Sequence, residues 1–179
     1  MPDPSSSCAP LSICFIVFCI SALGFLPLSK IVSDLASQYA FKSIYQSETK
    51  TFLDEMIYYG KELYFKDNVI PFKSDAEKIG YTEEDYIWAQ ENEQYIWENF
   101  VEKQYLFDTD TKLVSRFINP APFSKFGLQL DSESPGKLGR FIGWQIVRAY
   151  MKNNNVSLHE MLKTEPVEIF NNSKYKPRK

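Results

Sequence analysis

The chain has 179 residues and a formal net charge of −3, with 20 Lys and Arg against 23 Asp and Glu. That length supports a domain with a real hydrophobic core, and the balanced charge without a basic stripe excludes nucleic acid as an expected partner. Eleven Tyr, 14 Phe and 3 Trp suit a well-packed helical domain or one with an interaction surface.

Residues 4–29 carry no charge, and Leu11 to Leu28 is almost wholly apolar. The run is near the lower limit of roughly 17–25 residues for a spanning helix. It also resembles the apolar core of a secretory signal, with Ala22 and Gly24 small at the two positions that a signal peptidase reads. The residues ahead of it include Asp3 and no Lys or Arg, unlike the positive start of a signal. Cys8 precedes the run, Cys14 follows Leu11-Ser12-Ile13 and Cys19 follows Val17-Phe18, so none ends a good lipobox. Two readings stay open: an export signal or membrane anchor, and a misassigned or artificial start. A boundary at Lys30 separates a signal- or anchor-like segment, residues 1–30, from a helical domain, residues 31–179. That second part has no cysteine and uses no disulfide.

Ile31 to Ile44 reads as a moderately amphipathic helix. Thr51 to Lys66 is stronger, with Phe52, Leu53, Met56, Ile57, Tyr59, Tyr64 and Phe65 at three- and four-residue steps, interrupted by Gly60. Asp67 to Lys73 is a loop broken by Pro71. Thr82 and Asp85 form a capping-box pattern that opens one long helix, with Trp97, Phe100, Val101 and Tyr105 on its apolar face. A shorter helix runs from Asp110 to Ile118, followed by a proline-bearing loop from Asn119 to Gly136. Leu138 to Met151 is an apolar helix with Gly139 and Gly143 four apart, and Ser134 and Pro135 ahead of it as an N-cap and first-turn proline. Each helical glycine costs about 1 kcal/mol against alanine, so the pair implies close approach of another helix. Arg140, Gln145 and Arg148 interrupt the apolar run and argue against a membrane span. Ser157 with Glu160 starts a short helix to Leu162, and Thr164 to Phe170 is a last one with Pro166 in its first turn. No strand pair or repeat is evident, so the class is mainly α, a single helical domain.

No catalytic residue, metal ligand or cofactor site is expected. His159 is the one histidine and reads as exposed; alone it cannot form the paired-imidazole zinc site of an HExxH helix. The carboxylates, among them Asp54, Glu55, Glu62 and Glu93, read as helix starts and solvated faces. No phosphate-binding glycine loop or complete calcium loop is present. The basic end at Lys174, Lys176, Arg178 and Lys179 reads as a solvated tail.

Several blocks carry a family resemblance: Met56-Ile-Tyr-Tyr-Gly-Lys-Glu-Leu-Tyr-Phe65, Asp108-Thr-Asp-Thr-Lys112, Ala121-Pro-Phe-Ser-Lys-Phe126, Ser134-Pro-Gly, Ile142-Gly-Trp-Gln-Ile-Val-Arg-Ala-Tyr150 and Glu168-Ile-Phe-Asn-Asn-Ser-Lys-Tyr-Lys-Pro177. From about Ile31 to the C-terminus the chain resembles the gliding-motility lipoprotein GldB family. The resemblance implies a C-terminal portion or a mis-started product, since the family extends further at its N-terminal side. It also implies a distant likeness to predicted zinc proteases, in which an HExxH helix precedes a helix with a Glu-Gly pair. On that likeness Ser33, Asp34 and Ser37 stand where HExxH would lie, and Tyr59 stands before Gly60 where the glutamate would be. Neutral hydroxyls are poor zinc ligands, so the implied scaffold is a degenerate zincin-like fold without protease chemistry. The alternative is that Ser33 to Ser37 is a helical surface.

The implied function is a non-catalytic, periplasm-facing envelope protein of the gliding machinery. It would be membrane-anchored by a lipid or the apolar N-terminus and would work through contacts with other envelope proteins. The alternatives are a metal-dependent hydrolase, and a peptide- or ligand-binding module on the same scaffold with Tyr58, Tyr59 and Trp144 as lining. Gly60, Arg140, Gly143, Trp144, Arg148 and Tyr150 are candidate packing or interaction residues.

Overall fold

The computed structural model describes residues 28–121, 124, 126 and 134–178. The apolar run before Leu28, its three cysteines and much of the 119–136 loop lie outside the described residues. The described residues form α1 (Leu28–Phe41), α2 (Phe52–Val69), α3 (Asp75–Ile79), α4 (Glu83–Glu91), α5 (Glu93–Glu102), α6 (Thr111–Phe117), α7 (Leu138–Asn153), α8 (Leu158–Lys163) and α9 (Pro166–Ser173). They contain no extended strand, as the mainly α class requires, and no helix long and apolar enough to cross a membrane.

Four helices begin with a reciprocal capping box, in which the cap hydroxyl accepts an N–H and a carboxylate three residues on accepts the cap's own N–H. The pairs are Thr51/Asp54, Ser74/Glu77, Thr82/Asp85 and Ser157/Glu160. Ser74/Glu77 starts α3, a helix the apolar periodicity does not announce.

Four expectations are corrected, the first being the loop from Asp67, since Asp67, Asn68 and Val69 continue α2. The long helix from Thr82 is two helices broken at Asn92, whose side-chain amide donates to Trp88 O at 2.8 Å. A short amide bonding back to the fourth preceding carbonyl offers the backbone an alternative to the helix ladder. Its apolar face is also narrower than expected: Phe100 is buried, but Val101 is 46% exposed. The helix carrying the glycine pair is capped by Lys137 in the left-handed region, not by Ser134. Ser134 is buried and donates to Ser124 O at 2.9 Å, while Ser124 donates to Pro135 O at 2.8 Å, so this serine pair pins the approach to α7.

The core is built on α2 and α7, which make the most extensive helix–helix contact among the described elements. Phe52, Leu53, Met56, Ile57 and Leu63 of α2 are buried against Phe141, Ile142, Ile146 and Val147 of α7 and neighbouring helices. Each contributes about 1.5–3 kcal/mol relative to exposure. Glycine lets the two backbones touch. A methyl group at Gly60 would overlap the Gly143 carbonyl, and one at Gly143 would overlap the Met56 carbonyl. At Gly139 it would come within 2.6 Å of Ile118 Cδ1 and 3.0 Å of Phe117 O. The close approach implied by the glycine spacing is therefore present, and its counterpart is Gly60.

An ordinary helical Gly→Ala change stabilises by about 1 kcal/mol. Gly143→Ala should do the opposite, destabilising by about 3 kcal/mol because backbone must move away from backbone. Gly80→Ala, at φ +74° on the surface, should cost only about 1 kcal/mol. Urea denaturation midpoints of the two variants check this ordering.

Candidate functional site

The α2–α7 crossing leaves a cleft of about 750 Å³ bounded by α1, α2, the α3–α4 connection and the first turn of α7. Ser33, Asp34 and Ser37 reach it from α1, and Tyr59 reaches it from α2. The structure thus brings together the four residues that the resemblance places in one degenerate site.

The floor is Glu62, which is only 3% exposed and is not one of the solvated carboxylates expected from the sequence. Ser37 Oγ lies 2.6 Å from Glu62 Oε1 and 3.0 Å from Ser33 O. A hydroxyl has one proton, which goes to the closer, charged acceptor. Lys66 Nζ lies 2.6 Å from the same Oε1 and also donates to Lys78 O at 2.9 Å. Glu62 is buried because an ammonium one helical turn along α2 neutralises it. Asp54 and Glu93 are likewise buried rather than solvated. Asp54 accepts from Thr51 N and Thr49 Oγ1, and Glu93 accepts from the Tyr175 hydroxyl at 2.7 Å.

The opposite corner is cationic. Lys137 Nζ donates to the carbonyls of Ile79 at 2.7 Å and Gly80 at 3.1 Å. Arg140 Nε donates to Ile118 O at 2.6 Å, and its guanidinium lies 3.9 Å from the Tyr59 ring centroid. Tyr81 donates its hydroxyl proton to Gly136 O and carries Lys137 Nζ over its ring.

The other candidates lie elsewhere. Trp144 is fully buried and donates its indole N–H to Asp67 at 3.0 Å, so it belongs to the core and not to the cleft. Tyr58 lines a smaller neighbouring groove of about 250 Å³, with Tyr59 between the two. Gly60 and Gly143 form the crossing, and Tyr150 is buried. Arg148 holds Asp67 through Nε at 2.8 Å and Nη2 at 2.9 Å, and Asp75 through Nη1 at 2.8 Å. Lys78 joins the same two carboxylates, tying α2, α3 and α7 together. Burial alone would raise the Asp75 pKa, but hydrogen bonds and charge from Arg148, with help from Tyr86 and Lys78, bring it down to about 2. His159 is exposed, as expected. Among the described residues no three His, Cys, Asp or Glu side chains form a group that could hold a metal ion.

Sequence periodicity misses Glu62 because Glu62 and Lys66 read as a solvated i,i+4 pair on a helix face. It also misses the fully buried Lys61, whose Nζ donates to Leu162 O at 3.2 Å and Thr164 O at 2.5 Å and so caps the end of α8.

A family model described as gliding motility protein GldB matches residues 27–177. No curated protein and no solved structure matches the chain.

Burial pushes Lys61 down to about 8; burial, then repulsion from Arg140 and Lys66, does the same for Lys137. Unfolded lysine titrates near 10.5, so between these values the unfolded chain binds more protons and stability rises with pH. Above about pH 10 the sign reverses. Tyr86, Tyr59, Tyr81 and Tyr175 are all raised by burial and stay protonated when the unfolded tyrosines ionise. Unfolding free energy should therefore climb from about pH 8 to about pH 10 and fall beyond. Lys61→Met and Lys137→Asn should each flatten the climb in denaturation curves taken across that range.

Proposed function

The chain belongs to the GldB family, and on that premise we propose that it is a non-catalytic component of the gliding motility machinery, held at a membrane of the cell envelope by a lipid or by its apolar N-terminus. It faces the periplasm and acts through contacts with other envelope proteins, made at the cleft between α1 and the α2–α7 pair. The observation that carries this reading is the internal neutralisation of Glu62. The carboxylate on the cleft floor has its Oε1 occupied by the Lys66 ammonium and the Ser37 hydroxyl. A carboxylate that must hold a metal or move a proton is ordinarily kept open to its ligand or substrate. Around it stand Ser33, Asp34, Ser37 and Tyr59, a set with three neutral hydroxyls and no imidazole. Such a surface recognises better than it reacts.

The competing reading is a metal-dependent hydrolase. It requires zinc bound by the purified chain in a manner that Glu62→Gln abolishes, and the non-catalytic reading expects no such dependence. The motility role itself is tested by disrupting the gene in its own host and scoring colony spreading and single-cell gliding. Loss of gliding, restored by the native gene, is expected; unaltered gliding would reduce the family relation to a shared fold.

A further inference from the structure

Five of the charges lining the cleft are matched within the protein, and Lys30 and Asp34, one of each sign, are exposed on α1. Lys66 pairs with Glu62, Lys78 with Asp67 and Asp75, and Glu77 with Lys73, while Asp85 closes the capping box at Thr82. The corner made by the start of α7 is different. Lys137 is the N-cap, Arg140 sits in the first turn, and that turn has no acidic residue. Cations there are disfavoured by the helix dipole, whose positive end they share. Both side chains are half-buried, and neither forms a salt bridge within the described residues. Burial and mutual repulsion hold Lys137 below the usual lysine range.

The geometry points to this corner as a receptor for a carboxylate carried by an acidic peptide segment of a partner protein, an assignment that rests on the reading of the cleft as a contact site. Arg140 bonds the protein through Nε alone, leaving Nη1 and Nη2 without a hydrogen bond to the described residues. The Tyr59 ring covers one face of the guanidinium, so a ligand meets the free nitrogens along their edge. Two parallel N–H donors match the two oxygens of a carboxylate, the anion that a protein partner carries on its acidic side chains and at its end. Lys137 supplies a second charge, and the cleft is far larger than a single ion, with room for the peptide carrying the carboxylate.

Three fluorescent peptides of otherwise equal sequence test this by anisotropy on the full 179-residue chain in detergent. One carries an internal Glu and an amidated end, one Gln and an amidated end, and one Gln and a free terminal carboxylate. The Glu peptide or the free-end peptide should bind at least about tenfold tighter than the neutral one, and which of them does so identifies the source of the carboxylate. Arg140→Gln should remove the preference, and Arg140→Lys should retain part of it. Equal binding of all three peptides, a preference that survives Arg140→Gln, or displacement by submillimolar inorganic phosphate would overturn the assignment. If Arg140→Gln does not fold, the unaltered chain decides. The preferred peptide should slow phenylglyoxal modification of Arg140, as read by mass spectrometry, and unchanged modification would overturn the assignment. Peptide binding by a chain dispensable for gliding would keep this inference and remove the motility role; a chain needed for gliding that ignores all three peptides would do the reverse.

Discussion

Contact between the backbones of α2 and α7 at Gly60 and Gly143 is the constraint on which the rest depends. Neither position tolerates a Cβ without moving the facing helix, so the crossing fixes both the separation and the register of the two helices. The register then decides which side chains meet. Two turns along α2 from Gly60, Asp67 meets Trp144 and Arg148 of α7. In the other direction along α7, Arg140 comes to lie over Tyr59. The ion network and the cleft are two consequences of one close approach.

The network keeps the arrangement rigid where it cannot be dry. Arg148 stacks 3.8 Å from the Trp144 ring centroid and holds two carboxylates, and breaking such partly buried pairs leaves uncompensated charge. Lys61 extends the same logic to the C-terminal helices, with a buried ammonium on the final carbonyls of α8. The cleft is thus walled by elements pinned from behind, which suits a surface whose task is to present charges and rings in fixed positions. Its Glu62 floor is neutral by pairing, and its Lys137–Arg140 corner remains positive.

Much of this was legible in the sequence, and the remainder was hidden for physical reasons. Gly139 and Gly143 announced a close approach because helical glycine needs a compensating contact, but a lone Gly60 carries no address for its partner. The placement of Ser33, Asp34, Ser37 and Tyr59 came from family resemblance, and they share one cleft. Glu62 looked solvated because an i,i+4 Glu–Lys pair has the same spacing on a wet or a dry face; only the arrival of α1 through Ser37 makes it interior. Asn92 could as well continue a helix as break it, and the bond to Trp88 decides the matter. Ser134 matched a cap by position, while its hydroxyl is drawn to Ser124.

The cleft bounded by the α2–α7 crossing is the contact surface proposed for this protein in gliding. The most direct measurement is gliding speed in the gene-disrupted host carrying Tyr59→Ala together with Arg140→Gln, at a cellular abundance equal to the native protein. Cells making the altered protein at that abundance should fail to glide. Native gliding by those cells would contradict this proposal and place the working surface elsewhere on the chain.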